Sequence, residues 1–141
     1  MTRSLRTRSA LAGGAIAAAL LAGTDGAAPA ADIEGDAARG RALFVSKGCV
    51  ACHAVNEIGG TTGPPLDEFA EGEGDPLDFV ARMWRGAEAM VMMQQSLFGV
   101  QLDFTGAELA DIIAFARDPE EQQRFTEADV PPGLQRLIRE Q

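Results

Sequence analysis

Apolar positions recur along the chain at helical spacing, and the polar residues between them supply caps and stops. A first run, Ala10 to Gly23, is rich in Ala and Leu and follows Arg3, Arg6 and Arg8. Ala38, Leu43 and Phe44 mark the apolar face of a helix from Ala37 to Lys47, with Asp36 placed to cap its start and Gly48 to end it. Residues Asn56 to Pro65, rich in Gly, Thr and Pro, carry neither helical nor strand periodicity and read as a loop. Asp75-Pro76 sets a cap residue before a proline at the first helical position, and Leu77, Phe79, Val80, Met83 and Trp84 give the helix that follows an apolar face. Gly86 is expected to break or kink it. Thr105 and Glu108 form a capping box ahead of Leu109, Ile112, Ile113, Phe115 and Ala116, and Asp118-Pro119 stops that helix. Further on, Glu120 to Gln123 read as solvated, Val130-Pro131-Pro132 as a turn, and Leu134, Leu137 and Ile138 as one face of a short final helix. No strand-length alternation and no internal repeat stands out, so the fold is expected to be all-α.

The first apolar run reads as an export signal. Three arginines form a basic lead, Ala10 to Gly23 an apolar core of 14 residues, and Ala28-Pro29-Ala30 a small-residue cleavage site, so residues 1–30 are expected to be removed and the mature chain to begin at Ala31. A core this short does not favour a permanent membrane span. Cleavage leaves 111 of the 141 residues, enough for one small domain. It also removes three Arg and one Asp, which moves the formal net charge from −9 to −11. Nucleic-acid binding, which needs clustered Lys and Arg, is therefore not expected. Asp67, Glu68, Glu71, Glu73, Asp75 and Asp78 make an acidic run with no Lys or Arg between Lys47 and Arg82. It reads as a solvated face or as a docking patch for a cationic partner.

The chemistry concentrates in Cys49-Val50-Ala51-Cys52-His53, which holds the chain's two cysteines and its one histidine. This spacing lets two thiols be alkylated by the vinyl groups of one haem while the adjacent imidazole ligates the iron. Zinc would need a second Cys/His pair, and a thioredoxin-like dithiol would need a βαβ context; neither is found. With no second histidine, bis-His ligation within one chain is excluded. A distal ligand is then sought among the methionines, four of which lie between Met83 and Met93.

The chain resembles the class I c-type cytochromes, small bacterial monohaem electron carriers, over roughly Asp36 to Phe115. The resemblance implies a helical haem domain at residues 31–118, followed by a C-terminal extension at 119–141 with its short amphipathic helix. It implies one covalent haem c on Cys49 and Cys52, with His53 as proximal iron ligand. Gly63-Pro64-Pro65-Leu66 resembles the family's Gly-Pro-x-Leu, in which the Pro64 carbonyl would accept the imidazole Nδ1 proton. Met83 to Met90 resembles a Met-Trp-Asn-His-Ala-Pro-x-Met pattern, which implies Met90 as the distal ligand; distance back from the last helix favours Met93 or Met92. Trp84, with Arg82 or Arg85, would face a haem propionate. Phe115 is expected to pack on Gly40 and Phe44, and the final helix to lie as a strap on the haem domain.

The function this implies is a periplasmic carrier of single electrons between respiratory, photosynthetic or dehydrogenase partners, monomeric and not an enzyme. Two alternatives stay open. One is a haem sensor with an open distal site; the other is a haem subunit docked permanently on a periplasmic oxidoreductase.

Overall fold

The computed structural model of the chain describes residues 33–69 and 75–140. The signal segment, the cleavage point near Ala30, Glu71 and Glu73 lie outside the described residues. The described residues form helices α1 (Ala37–Ser46), α2 (Pro76–Phe98), α3 (Gly106–Arg117), α4 (Pro119–Gln123) and α5 (Pro132–Arg139), with one two-stranded hairpin, β1 (Ala54–Val55) and β2 (Ile58–Gly59). The fold is all-α with a short C-terminal helix. No helix among the described residues is long and apolar enough to cross a membrane.

The pairing of α1 with α3 is the centre of the fold, and small residues let it happen. A Cβ on Gly40 would stand 2.0 Å from the Asp111 carbonyl oxygen and 2.7 Å from Phe115 Cβ, so the two backbones touch there. Beside that crossing Phe44 packs on Phe115 at 5.8 Å between ring centres, as expected, and on Phe125 at 5.5 Å. Such ring pairs add roughly 0.5–1.5 kcal/mol each beyond the area they bury. Asp36 caps α1 by accepting from the Arg39 amide, and Thr105 with Glu108 closes the capping box of α3. Asp111 of α3 is buried and accepts from the Asp36 amide at 2.7 Å and from Arg39 Nε at 2.9 Å. The Arg39 guanidinium, followed by the Asp36 amide, holds its carboxyl below the usual carboxylate range.

The segment Glu120 to Gln123 is helical and half inside, which corrects the solvated reading. Asp118 serves two helix ends at once: its amide bonds the Phe115 carbonyl, and its carboxylate accepts from the Glu120 and Glu121 amides. The chain therefore turns back without a linker and carries Glu121 and Gln122 into the interior. Both are satisfied there, as burial demands. Glu121 pairs with Arg41 and with Arg124, each at 2.8 Å, and the Gln122 amide donates to the carbonyls of Phe115 and Ala116. Phe125 follows into the aromatic cluster, and Leu134 and Ile138 of α5 pack on the same cluster, so the final helix is docked.

Two further expectations change. Gly86 does not interrupt its helix: α2 runs unbroken for 23 residues, because one mid-helix glycine costs only about 1 kcal/mol against alanine. Leu77 and Trp84 do not belong to a buried face, since both are exposed and the inward face is carried by Phe79 and Met83. Within the expected loop, Asn56 and Glu57 take positive φ (51° and 63°), the backbone of a type I′ turn, and this closes the hairpin that pairs Ala54 with Gly59 and Val55 with Ile58.

Candidate functional site

A cavity of about 350 Å³ lies between the turn that follows α1 and the inner face of α2, a volume in the range of small-molecule and cofactor pockets. One wall begins at Gly48, whose φ of 75° lets the chain leave α1 and enter a single 3₁₀ turn over Cys49–Ala51. The His53 amide closes that turn on the Cys49 carbonyl at 2.9 Å. Cys49, Cys52 and His53 are thereby brought to the same cavity.

The loop after the hairpin wraps this turn closely. The Gly63 amide donates to the Cys52 carbonyl at 2.7 Å, and a Cβ at Gly63 would lie 2.3 Å from His53 Cε1. Pro64 then presents its carbonyl to His53 Nδ1 at 2.7 Å. A carbonyl only accepts, so Nδ1 carries the proton and Nε2 keeps its lone pair for a metal. Burial pushes the Cys49 thiol up to about 11, with Cys52 adding to the rise, and burial also raises Cys52. Both thiols are free, and no group of three or more His, Cys, Asp or Glu among the described residues could hold a bare metal ion.

The facing wall is a stripe of α2. Met83, Gly86, Met90 and Met93 line the cavity at spacings of three, four and three residues, which keeps them on one side of a helix. Gly86 leaves room between the thioethers: a Cβ there would meet nothing nearer than Met90 Cε at 3.9 Å. Met92 is exposed. The structure does not bring Trp84 or Arg85 to the cavity: both are exposed, at the 100° per residue that turns them away from the stripe of Met83, Met90 and Met93. Arg82 does line it, with its guanidinium 5.3 Å over the Phe69 ring.

Phe98, Phe104 and Gln94 complete the cavity and escaped the sequence reading. For Gln94 and Phe98 the signal was present, since the stripe from Met83 continues through them once the helix is carried past Gly86. Gln94 also accepts from the Leu102 amide at 3.0 Å, tying the end of α2 to the chain that leads to α3. Two thiols and a free imidazole nitrogen on one wall, thioethers on the other and apolar rings between them fit a covalently bound porphyrin.

The family model for cytochrome c matches residues 37–118, from the start of α1 to the end of α3. No curated protein and no solved structure gives a significant match.

Proposed function

Because the chain belongs to the cytochrome c family, whose members bind haem covalently and transfer electrons, we propose that it is a class I monohaem carrier of a bacterial periplasm. In this reading Cys49 and Cys52 would fix one haem c, and His53 and Met90 would supply the ligands of its iron. When bound, the haem iron supplies a one-electron couple. The chain's own residues set the conditions for it. Pro64 keeps the proton on His53 Nδ1, which orients the ring and raises the basicity of Nε2. The Met90 thioether favours the ferrous state and raises the potential, while the apolar walls exclude water. A single Cys-x-x-Cys-His motif supports one haem per chain, and the Ala10 to Gly23 segment supports export. The acidic residues Glu68, Asp75 and Asp78 support a redox partner with a basic docking face. Nothing in the site is arranged for acid/base work, because the one imidazole is committed to the iron, so the protein is read as a carrier rather than an enzyme.

The observation that carries this reading is the 2.7 Å contact from His53 Nδ1 to the Pro64 carbonyl, in a cavity whose other wall presents Met90 and Met93. Ferric and ferrous spectra of the haem-loaded chain test it. The expected result is a low-spin haem with the weak far-red thioether-to-iron band, lost in Met90→Ala and kept in Met93→Ala. The reverse pattern would move the distal ligand to Met93. A high-spin parent that binds carbon monoxide readily would sink the His/Met carrier and favour a sensor.

A further inference from the structure

Helix α2 is fastened to the rest of the molecule more sparsely than its 23 residues suggest. Its buried residues, Pro76 and Phe79, both lie in the first turn, and further on Met83, Gly86, Met90 and Met93 face the cavity. Among the described residues its side chains make one hydrogen bond, in which the Leu102 amide donates to Gln94 Oε1 at 3.0 Å. An amide N–H only donates, so the Gln94 atom it meets is the carbonyl oxygen, and a side chain without an acceptor cannot take its place. Gln94 itself lines the cavity. Met93 is its neighbour in the chain, and Met90 precedes it by four residues, about 6 Å along the helix axis.

The other end of this bond is firmly held. Beside Leu102, the Asp103 carbonyl accepts from the Lys47 ammonium at 3.0 Å, and Lys47 pairs with Glu108 at 2.8 Å. Lys47 caps the end of α1 and Glu108 stands in the first turn of α3. The Gln94 bond therefore ties the methionine helix to the closely packed α1 and α3. Phe98 adds an apolar contact one turn further on, where its ring comes within 2.9 Å of the place a Cβ on Gly48 would occupy. Between the Phe79 anchor and these ties stands Gly86, the residue of lowest helix propensity in the interior of α2.

We infer that Gln94 is a positioning residue, a latch whose bond to the Leu102 amide holds residues 86–98 of α2 over the cavity and so keeps a methionine within reach of the iron. The inference rests on the His/Met reading above and holds whichever of Met90 and Met93 is the ligand. With the latch made, the thioether keeps the sixth position against outside ligands. With it lost, this half of the helix moves away at lower cost, and an outside ligand competes better. One intramolecular hydrogen bond shifts such a balance by a factor of up to about ten.

Imidazole titration of the ferric, haem-loaded protein at about pH 8, where imidazole is a largely neutral ligand, tests the latch in the parent, in Gln94→Leu and in Gln94→Glu. Leucine removes the acceptor, whereas glutamate keeps an acceptor for the Leu102 amide and removes the NH2 group. The expected result is a parent with the far-red thioether band, imidazole binding roughly three to ten times tighter in Gln94→Leu, and binding close to the parent's in Gln94→Glu. Equal affinity in the parent and Gln94→Leu, with the band present, overturns the latch and leaves the carrier reading standing. A Gln94→Glu protein that matches Gln94→Leu also overturns it, because the effect then belongs to the lost NH2 group and not to the bond with Leu102. A parent that lacks the band sinks the carrier reading and the latch with it.

Discussion

The two walls of the cavity are built in opposite ways. On the His53 side the backbone is packed against itself: at Gly40, Gly60 and Gly63 an added Cβ would stand 2.0–2.3 Å from a neighbouring atom, and aromatic rings fill the space behind. On the methionine side a single long helix stands over the cavity. It is held near its start by Phe79 on Phe69, at 5.2 Å between ring centres, and near its end by the Gln94 bond to the Leu102 amide. Gly86 in the middle has open space before it. The difference teaches that the thiol and imidazole wall is rigid by construction, whereas the thioether wall is positioned largely by what fills the cavity. In the proposed carrier that arrangement would fix the thiol side and leave the methionine side as the adjustable one.

The same substitution made on the two walls should break the comparison open. Gly40→Ala drives a methyl group into the Asp111 carbonyl, and separating α1 from α3 is expected to cost about 3 kcal/mol or more. Urea denaturation of the haem-loaded protein measures this, and a loss under about 1 kcal/mol would show that the helix crossing is not tight.

A smaller effect is expected from acid, again confined to the rigid wall. Asp111 is held below its ordinary value of 3.8, first by the Arg39 hydrogen bonds and then by the Asp36 amide. A depressed carboxyl adds stability that is fully present above the unfolded value and is lost as the pH falls through the folded one. Asp111→Asn should therefore lower the thermal midpoint at pH 7, and the gap between parent and variant should close as the pH drops below about 4. A gap of constant size across that range would exclude the ion pair as its source.

The smallest effect is expected on the helix wall. Gly86→Ala meets only the tip of Met90 at 3.9 Å among the chain's own atoms, so helix propensity favours it by about 1 kcal/mol while the added methyl group takes up space in the cavity, and the net change in stability should stay under about 1 kcal/mol. A loss of about 3 kcal/mol in the same urea experiment would mean that the filled cavity packs this wall as tightly as the opposite one.

What could be read from the sequence was local or periodic. The caps at Asp36, Asp75 and Thr105 follow from spacing and residue type, the Gly40, Phe44 and Phe115 contact from the family resemblance, and the structure has each in place. The rest depends on partners distant in the chain. Glu121 and Gln122 are polar and were placed in water, but Arg41 and the free carbonyls at the end of α3 make the interior acceptable to them. Asp111 sat unnoticed on an apolar face because its partners, Asp36 and Arg39, lie more than seventy residues earlier. Trp84 is expected inward from its hydrophobicity and toward a propionate from the family resemblance, and neither says which side of a lone helix has neighbours. Residue type alone points to a break at Gly86, where the surrounding helix formers outweigh it.

The direct junction at Asp118 separates the evolutionary unit from the folding unit. The family match stops at residue 118, but the next residues supply Phe125 to the rings of Phe44 and Phe115, Gln122 to the terminal carbonyls of α3, and the Gln122 carbonyl that receives the Asn56 side-chain amide from the hairpin beside His53. A chain trimmed to the homologous segment would keep every thiol and every proposed iron ligand and lose the plug that closes the wall behind them. The packed unit reaches Ile138 of α5, the last described residue on the aromatic cluster, and so runs well past residue 118, where the family match stops.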